Sequence, residues 1–442
     1  MIAFGNDRHT IFAPASGLGR AAVSVVRISG PASAAAIEAL TGWPAPAARR
    51  ASLRTLRDPQ TGEALDRGLV LWFPGPHSYT GEDAAELQVT GGRAVLAAVL
   101  NALVSLRGLR PAEPGEFAWR AFENRKIDLA QVEGLAELVD AQTQAQRRQA
   151  LRVAGGALSR EADETRAAVL TAMARIEAAI DFSDQEEVGE ATIAEARALA
   201  AAAAQRLKDN LRLADRGERL REGFHVVIAG PPNVGKSTLL NALARRDVAI
   251  VSAIPGTTRD ALEVHLELRG LPVTLIDTAG LRATDDPIER EGVARARRRA
   301  EEADLVLWLS EAGDARRAPL AAEAPLLRVA TKIDLGGAPA DGALAISAKT
   351  GQGIEQLLDS IAAAAEESLA GGDQALVVSA RHRAAFEEAL AHLERAAGGA
   401  NPAPEFFAED LRLAARALER IAGRIDVEDV LGEIFARLCI GK

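Results

Sequence analysis

The segment GPPNVGKSTLL, residues 230–240, restricts the fold more than any other stretch of the chain. It follows the apolar run HVVIA and leads into a helical pattern. A glycine-rich loop needs this strand–loop–helix setting to cradle phosphate. Gly230 and Gly235 let the backbone wrap the anion, and the amide hydrogens of Asn233, Val234 and Thr238 with the helix N-terminus favour negative charge there. Lys236 is placed to reach β- and γ-phosphates, and Ser237 to ligate Mg²⁺.

Further segments follow in the order a guanine-nucleotide site requires. SAIPGTT contributes Ser252, Ala253, Ile254, Pro255, Gly256, Thr257 and Thr258, with Thr258 the expected second Mg²⁺ ligand. DTAG supplies Asp277 near the metal, Thr278, Ala279, and Gly280 near the γ-phosphate. In TKID, with Thr331 and Lys332, the Asp334 carboxylate can pair with the N1 and N2 hydrogens of guanine, which adenine lacks. In SAKTG, Ser347, Ala348 and Lys349 close over the base, the Ala348 amide aimed at the guanine oxygen. GTP binding is expected from the ordered set. Two departures stand out. Thr331 replaces the usual Asn, so guanine selectivity should survive with lower affinity. Leu281 follows DTAG where small GTPases carry a water-orienting Gln, and a leucine cannot hydrogen-bond water.

At 442 residues the chain exceeds one ordinary core. Residues 1–118 mix short β-like runs with glycine turns and one amphipathic helix near 93–107, an α+β texture. Residues 119–218 are rich in Ala, Arg, Glu and Leu at helical spacing, as in ARALAAAAAQRLKDNL (196–211). From 219 to 375 apolar runs alternate with polar helical stretches, the pattern of a parallel sheet flanked by helices. Residues 376–442 are helical again. An α/β module inserted into one discontinuous helical domain, 119–218 plus 376–442, explains this order.

A net charge of -10 argues against non-specific coating of nucleic acid, and the basic stretches QAQRRQALR (144–152) and RARRRA (295–300) read as solvated helix faces. A single cysteine, Cys439, excludes an internal disulfide framework and suits a reducing cytosol; next to Leu438 and Ile440 it reads as packing. No signal peptide and no membrane-length apolar run are read. The acidic run DFSDQEEV (181–188) lacks calcium-loop spacing and is expected to be an inter-helix loop.

VVRISG (25–30), SYTGEDAAELQ (78–88), PGEFAWRAFENRKIDLAQVEGLAELV (114–139), DTAGLR and the terminal CIGK (439–442) resemble the MnmE (TrmE) family of tRNA-modification GTPases, along the whole chain. The resemblance implies a multidomain protein: an N-terminal α+β folate-binding domain, a helical domain, and an inserted Ras-like α/β P-loop G-domain. It implies a cytoplasmic homodimer that works with the flavoprotein MnmG as a heterotetramer on the wobble uridine of tRNA. The C5 carbon would come from a tetrahydrofolate derivative, the 5-formyl or methylene form. The family's G-domains pair across their nucleotide faces and use K⁺ in place of an arginine finger. Carried over, Asn233, Ser252, Ile254 and Thr257 would ligate K⁺, and Glu289 would act on the attacking water through a bridging water. Arg259 and Arg282 read instead as switch-stabilising ion pairs. Arg27, Glu86, Lys126 and Lys442 match the folate-binding positions, cations for the glutamate tail and a carboxylate for the pterin edge. Thr90 stands where the family often has His, and PASGLGRAA lacks a doubled glycine. A ribosome-assembly GTPase of the Era or Der type is the alternative, disfavoured by the single, inserted G-domain.

Overall fold

The computed structural model describes residues 9–17, 19–181, 186–246, 248–250, 263–277, 303–313, 324–398, 403–425, 431–432, 434–435, 438 and 441. Contacts divide the chain into two units: Met1–Ala136 with Val153–Arg166 and Arg416–Lys442, and Glu137–Arg152 with Ala167–Ala415.

The first unit holds a six-stranded sheet. Its elements are β1 (Thr10–Pro14), β2 (Val23–Ser29), α1 (Ser33–Thr41), β3 (Ser52–Arg57), β4 (Ala64–Phe73), β5 (Ala84–Thr90), α2 (Arg93–Val104) and β6 (Leu109–Pro111). Strand order is β3-β4-β5-β2-β1-β6, antiparallel throughout except that β6 runs parallel to β1. The two-residue period of a strand separates the faces. Val26 and Ile28 of β2 join Ile37 and Leu40 of α1 and Val99 and Leu103 of α2 in the core. Arg27 and Ser29 therefore point to the opposite face, where Ile11 and Ala13 pack with Phe117 and Tyr79. Helices α3 (Glu116–Glu123) and α4 (Leu129–Asp140) follow. In this unit Trp119 meets Phe435 edge-on with ring centroids 5.1 Å apart, so the C-terminal segment closes an apolar cluster with Leu129 and Val132.

Helices α5 (Gln144–Ala154), α6 (Ala157–Asp181), α7 (Glu186–Arg212) and α8 (Ala214–Glu222) lead to the second sheet. That sheet comprises β7 (Phe224–Ala229), then α9 (Lys236–Ala244), β8 (Glu263–Leu268), β9 (Leu271–Asp277), β10 (Leu305–Glu311), β11 (Leu326–Thr331), β12 (Leu344–Ala345) and α10 (Ile354–Leu369). Order is β12-β11-β10-β7-β9-β8. Five strands are parallel and mainly apolar, and their buried residues share one core with α9 and α10. The edge strand β8 is antiparallel to β9. The Arg269–Gly270 turn joins them with φ of 51° and 82°, the two positive values of a type I′ hairpin. This strand was not among the expected apolar runs. Its alternating EVHLEL carried the two-residue period that would have revealed it. Helices α11 (Ala380–Ala397) and α12 (Pro404–Glu419) complete the chain, with α11 packed along α7.

Glu186 to Val188 lie in the first turn of α7 rather than in a loop; residues 182–185 fall outside the described residues. The basic stretch 144–152 lies on α5, where Arg148 pairs with Asp373 at 3.0 Å. Stretch 295–300 lies outside the described residues. Among the described residues no helix is long and apolar enough to cross a membrane, and no cluster of three or more His, Cys, Asp or Glu side chains could hold a metal.

Candidate functional site

At the C-terminal end of β7 the chain turns through Gly230, φ 149°, Asn233, φ 62°, and Gly235, φ 102°, before α9 begins at Lys236. A Cβ on Gly230 would stand 2.4 Å from the Leu309 carbonyl oxygen, so only glycine lets the loop cross β10 this closely. Asn233 takes the left-handed conformation that Asn tolerates better than most side chains. Lys236 is 8% exposed, and its Nζ donates to the carbonyls of Gly230 at 2.9 Å and Pro231 at 3.0 Å. The ammonium thus sits in the hollow of the loop. Ser237 Oγ donates to Asp277 Oδ2 at 2.9 Å, and Asp277 is 2% exposed at the end of β9. A buried carboxylate beside a hydroxyl at a helix N-terminus is a hard oxygen pair, fitting a cation such as Mg²⁺.

The next parallel strands carry the other half. Thr331 ends β11, and its single hydroxyl proton is shared between Val234 O at 2.7 Å and Ser310 O at 3.2 Å. The threonine thus ties the β11 loop to the phosphate-type loop, the part played by an amide in the usual Asn. Ser347, fully buried, donates to Asp334 Oδ1 at 2.7 Å and accepts from the Thr350 amide at 3.2 Å. These contacts hold the Asp334 carboxylate at the edge of a cleft of about 240 Å³. Eight of the anticipated residues line it: Val234, Gly235, Thr238, Thr331, Lys332, Asp334, Ala348 and Lys349. Leu239, Leu335 and Ile346 line it too and were not anticipated; no motif marks them, though Ile346 directly precedes the SAK segment. Ser252, Ala253, Ile254, Pro255, Gly256, Thr257, Thr258, Thr278, Ala279, Gly280, Arg259, Leu281, Arg282 and Glu289 lie outside the described residues.

The first unit carries a second group. Arg27 and Glu86 are cross-strand partners on β2 and β5. The guanidinium reaches Glu86 Oε1 at 3.1 Å, donates to Gly441 O at 3.2 Å, and lies 5.2 Å from the Tyr79 ring and 5.8 Å from that of Phe117. Tyr79 and Phe117 were not singled out from sequence, because nothing in their spacing links them to residue 27. The Tyr79 hydroxyl is buried with no hydrogen-bond partner. Burial pushes that phenol above its ordinary pKa, against the opposing charge of Arg27. Lys126 Nζ donates to Pro76 O at 3.0 Å, on the loop that carries Tyr79. Lys442 and Cys439 lie outside the described residues. Below this face Glu116, 3% exposed, accepts from Arg110 at 2.7 and 2.8 Å, from Arg120 at 3.0 Å and from the Glu113 amide at 2.9 Å. Burial alone would raise its pKa; the Arg110 hydrogen bonds, the Glu113 amide and the two guanidinium charges outweigh it and hold the carboxyl below its ordinary value.

Fold and cleft together define a multidomain P-loop GTPase. A family model described as "MnmE helical domain" matches residues 129–439, and one described as "GTP-binding protein TrmE N-terminus" matches residues 10–126. Relatives include the tRNA modification GTPase MnmE of Methylobacterium sp. (strain 4-46), 60% identical over 440 residues, with 98% of this chain and 99% of that protein covered. That of Methylobacterium radiotolerans is 55% identical over 445 residues, covering 99% and 100%. Among solved structures, the G domain of the T. maritima FeoB iron transporter is 27% identical, covering 32% of this chain and 98% of that one, with a TM-score of 0.22. The chain belongs to the MnmE family.

Proposed function

We propose that this protein is a K⁺-activated GTPase that acts in tRNA modification. With the flavoprotein MnmG it would build the aminomethyl or carboxymethylaminomethyl group on C5 of the wobble uridine. The observation that carries the GTPase half is the placing of Thr331, Val234 and Asp334 around one cleft at the C-terminal ends of parallel strands, next to the glycine loop whose hollow holds Lys236 and whose helix start pairs Ser237 with Asp277. In this reading the loop amides and Lys236 bind the phosphates, Ser237 and Thr258 hold Mg²⁺, and Asp334 selects guanine. Val234, Thr238, Lys332, Ala348 and Lys349 wall the base, and Ser252 to Thr258 with Thr278, Ala279 and Gly280 cover the γ-phosphate side. GTP and GDP would be substrate and product.

Leu281 cannot orient the attacking water, so that role passes to Glu289 through a bridging water. Asn233 stands exposed in the left-handed conformation on the loop, and its side chain carries an amide oxygen. With Ser252, Ile254 and Thr257 it would supply ligands for K⁺, which when bound adds positive charge against the phosphates as negative charge develops there. Steady-state GTP hydrolysis in KCl and in NaCl at equal ionic strength tests this. Fast turnover is expected only in K⁺ and is lost in Asn233→Ala. Equal rates in both salts overturn the K⁺ reading.

In the first unit, Arg27, Glu86, Lys126 and Lys442 would hold a tetrahydrofolate derivative that supplies a one-carbon unit for the uridine. Two observations support this fit. Arg27 offers a cation beside an acceptor carboxylate, and the buried Tyr79 hydroxyl lacks a partner that a polar ligand could provide. The proposal includes a cytoplasmic homodimer. It includes three domains, residues 1–118, residues 119–218 with 376–442, and an inserted G-domain, 219–375; the second sheet, lying wholly between 224 and 345 with helices on both sides in sequence, supports this division.

A further inference from the structure

The loop between β4 and β5, residues 74–83, touches both cations assigned to the folate in the described residues. Its Tyr79 ring lies under the Arg27 guanidinium at 5.2 Å, and its Pro76 carbonyl accepts from Lys126 at 3.0 Å. Gly81 packs so tightly on the 124–126 segment that a Cβ there would stand 2.9 Å from the Asn124 Cβ and 3.3 Å from the Lys126 Cγ. The loop therefore bears on the position of both charges, alongside Glu86 and the Gly441 carbonyl at Arg27.

Asp83 ties the end of the loop to the end of β2 and the start of α1, its carbonyl accepting from the Gly30 amide at 2.8 Å and Ser33 Oγ at 3.0 Å; the charged anchor next to it is Glu82. The Glu82 carboxylate accepts from Ser29 Oγ at 2.7 Å and from Arg120 NH1 at 3.1 and 3.3 Å. Ser29 also meets Thr80 Oγ1 at 2.7 Å, and Asn124 donates to the Thr80 carbonyl at 2.7 Å. Arg120 is 5% exposed and is fixed by Glu116 at 3.0 Å and the His9 carbonyl at 2.9 Å. Charge-assisted hydrogen bonds of this kind, made by a buried guanidinium, resist exchange with water. Ser29 is two residues from Arg27 on the same face of β2, so Glu82 anchors the loop to the strand that presents the ligand-facing cation.

We propose that Glu82 is a positioning residue for the folate site: by tying the 74–83 loop to Ser29 and Arg120, it holds Tyr79 against Arg27 and Pro76 against Lys126. This rests on the folate reading above. The ligand class is a reduced pteridine with an anionic glutamate tail. Glu82 does not itself have to touch it.

Tyr79 is the only tyrosine in the chain, so phenolate absorbance of the full-length protein reports this loop alone. The titration is compared between wild type, Glu82→Gln and Ser29→Ala, alongside binding of 5-formyl-tetrahydrofolate and GTP hydrolysis. In wild type Tyr79 should titrate above an ordinary tyrosine. In Glu82→Gln it should move back toward the ordinary value, folate affinity should fall about tenfold, and GTP hydrolysis should be unchanged. Ser29→Ala, which keeps the Arg120 contact, should give a smaller change in the same direction, about threefold in affinity, and serves if the first variant does not fold. A Tyr79 titration unmoved in a folded variant overturns the proposal, as does a moved titration with unchanged affinity. Wild-type protein that binds no 5-formyl-tetrahydrofolate overturns the folate reading and the proposal with it. The titration curves then still show whether Glu82 holds the loop, which keeps the two failures apart.

Discussion

The nucleotide cleft and the Arg27 face are built from different materials. The cleft and its loop are held mainly by short-range contacts to backbone: three positive-φ residues in six, Lys236 and Thr331 side chains bonded to main-chain carbonyls, and strand ends fixed by a parallel sheet. The Arg27 face is made of charges on long side chains, each held by another: Arg27 by Glu86, Glu82 by Arg120, Glu116 by Arg110 and Arg120. A backbone-held site is most exposed to change where the chain crosses closely, as at Gly230, where a Cβ would stand 2.4 Å from Leu309 O. A charge-built site is weakened when one member of the network is neutralised, most of all at Glu116 and Arg120, whose side chains are buried.

The largest effect on folding stability is expected in the charged unit. Glu116→Gln removes the carboxylate that Arg110 and Arg120 share; Arg120 keeps Glu82 and Arg110 is partly exposed, so the cost falls at the low end for breaking a buried pair, about 3 kcal/mol. Hydrogen exchange should show this as lost protection in residues 10–14 and 109–123, with GTP binding retained. Acid should reproduce it in the wild type. A carboxyl held below its ordinary value stabilises the fold above the unfolded value, near 4.5, and that contribution is lost as pH falls through the folded value. The acid-side loss of protection should be smaller in Glu116→Gln; an identical acid profile in the variant would assign the pH dependence to other carboxyls.

The converse test lies in the second unit. Gly230→Ala forces a Cβ to 2.4 Å from Leu309 O at φ 149°. Strain at such a position is worth about 3 kcal/mol, so GTP affinity should fall about a hundredfold in a fluorescent-nucleotide titration. The Tyr79 titration should be untouched. Near-wild-type affinity would mean that the loop can lift away from β10.

The same contrast explains what could be read from the chain alone. The cleft's residues sit in short runs, 230–238, 331–334 and 347–349, because backbone geometry is encoded locally by glycine and by side chains a few residues apart. Parallel strands announced themselves as apolar runs for the same reason. The Arg27 face has no such record. Residues 27, 79, 86, 117 and 441 meet only after β2 and β5 pair, Lys126 reaches the same loop at Pro76, and only the family resemblance named some of them; Tyr79, Phe117 and Glu82 carry no local signal. Helix α5 is a further case. Its buried Gln149 donates to Gly217 O at 3.0 Å and Gly372 O at 2.8 Å, contacts 68 and 223 residues distant in sequence, and no local pattern can carry that.

Thr331 gives the smallest and finest test, because here the backbone-built site depends on a single proton. Its hydroxyl serves Val234 O at 2.7 Å and Ser310 O at 3.2 Å, and one donor cannot fully satisfy two acceptors. An Asn amide has two donors. Thr331→Asn should therefore satisfy both carbonyls, hold the base loop more firmly to the phosphate loop, and tighten GTP by about 1 kcal/mol, roughly fivefold. Thr331→Val keeps the shape, removes the proton, and leaves Val234 O without this donor, so affinity should fall by a similar amount. Guanine selectivity should be unchanged in both, since Asp334 is fixed independently by Ser347. If Thr331→Asn weakens binding instead, the surroundings of Thr331, itself 5% exposed, are too tight for the amide, and packing rather than donor count decides affinity at this position.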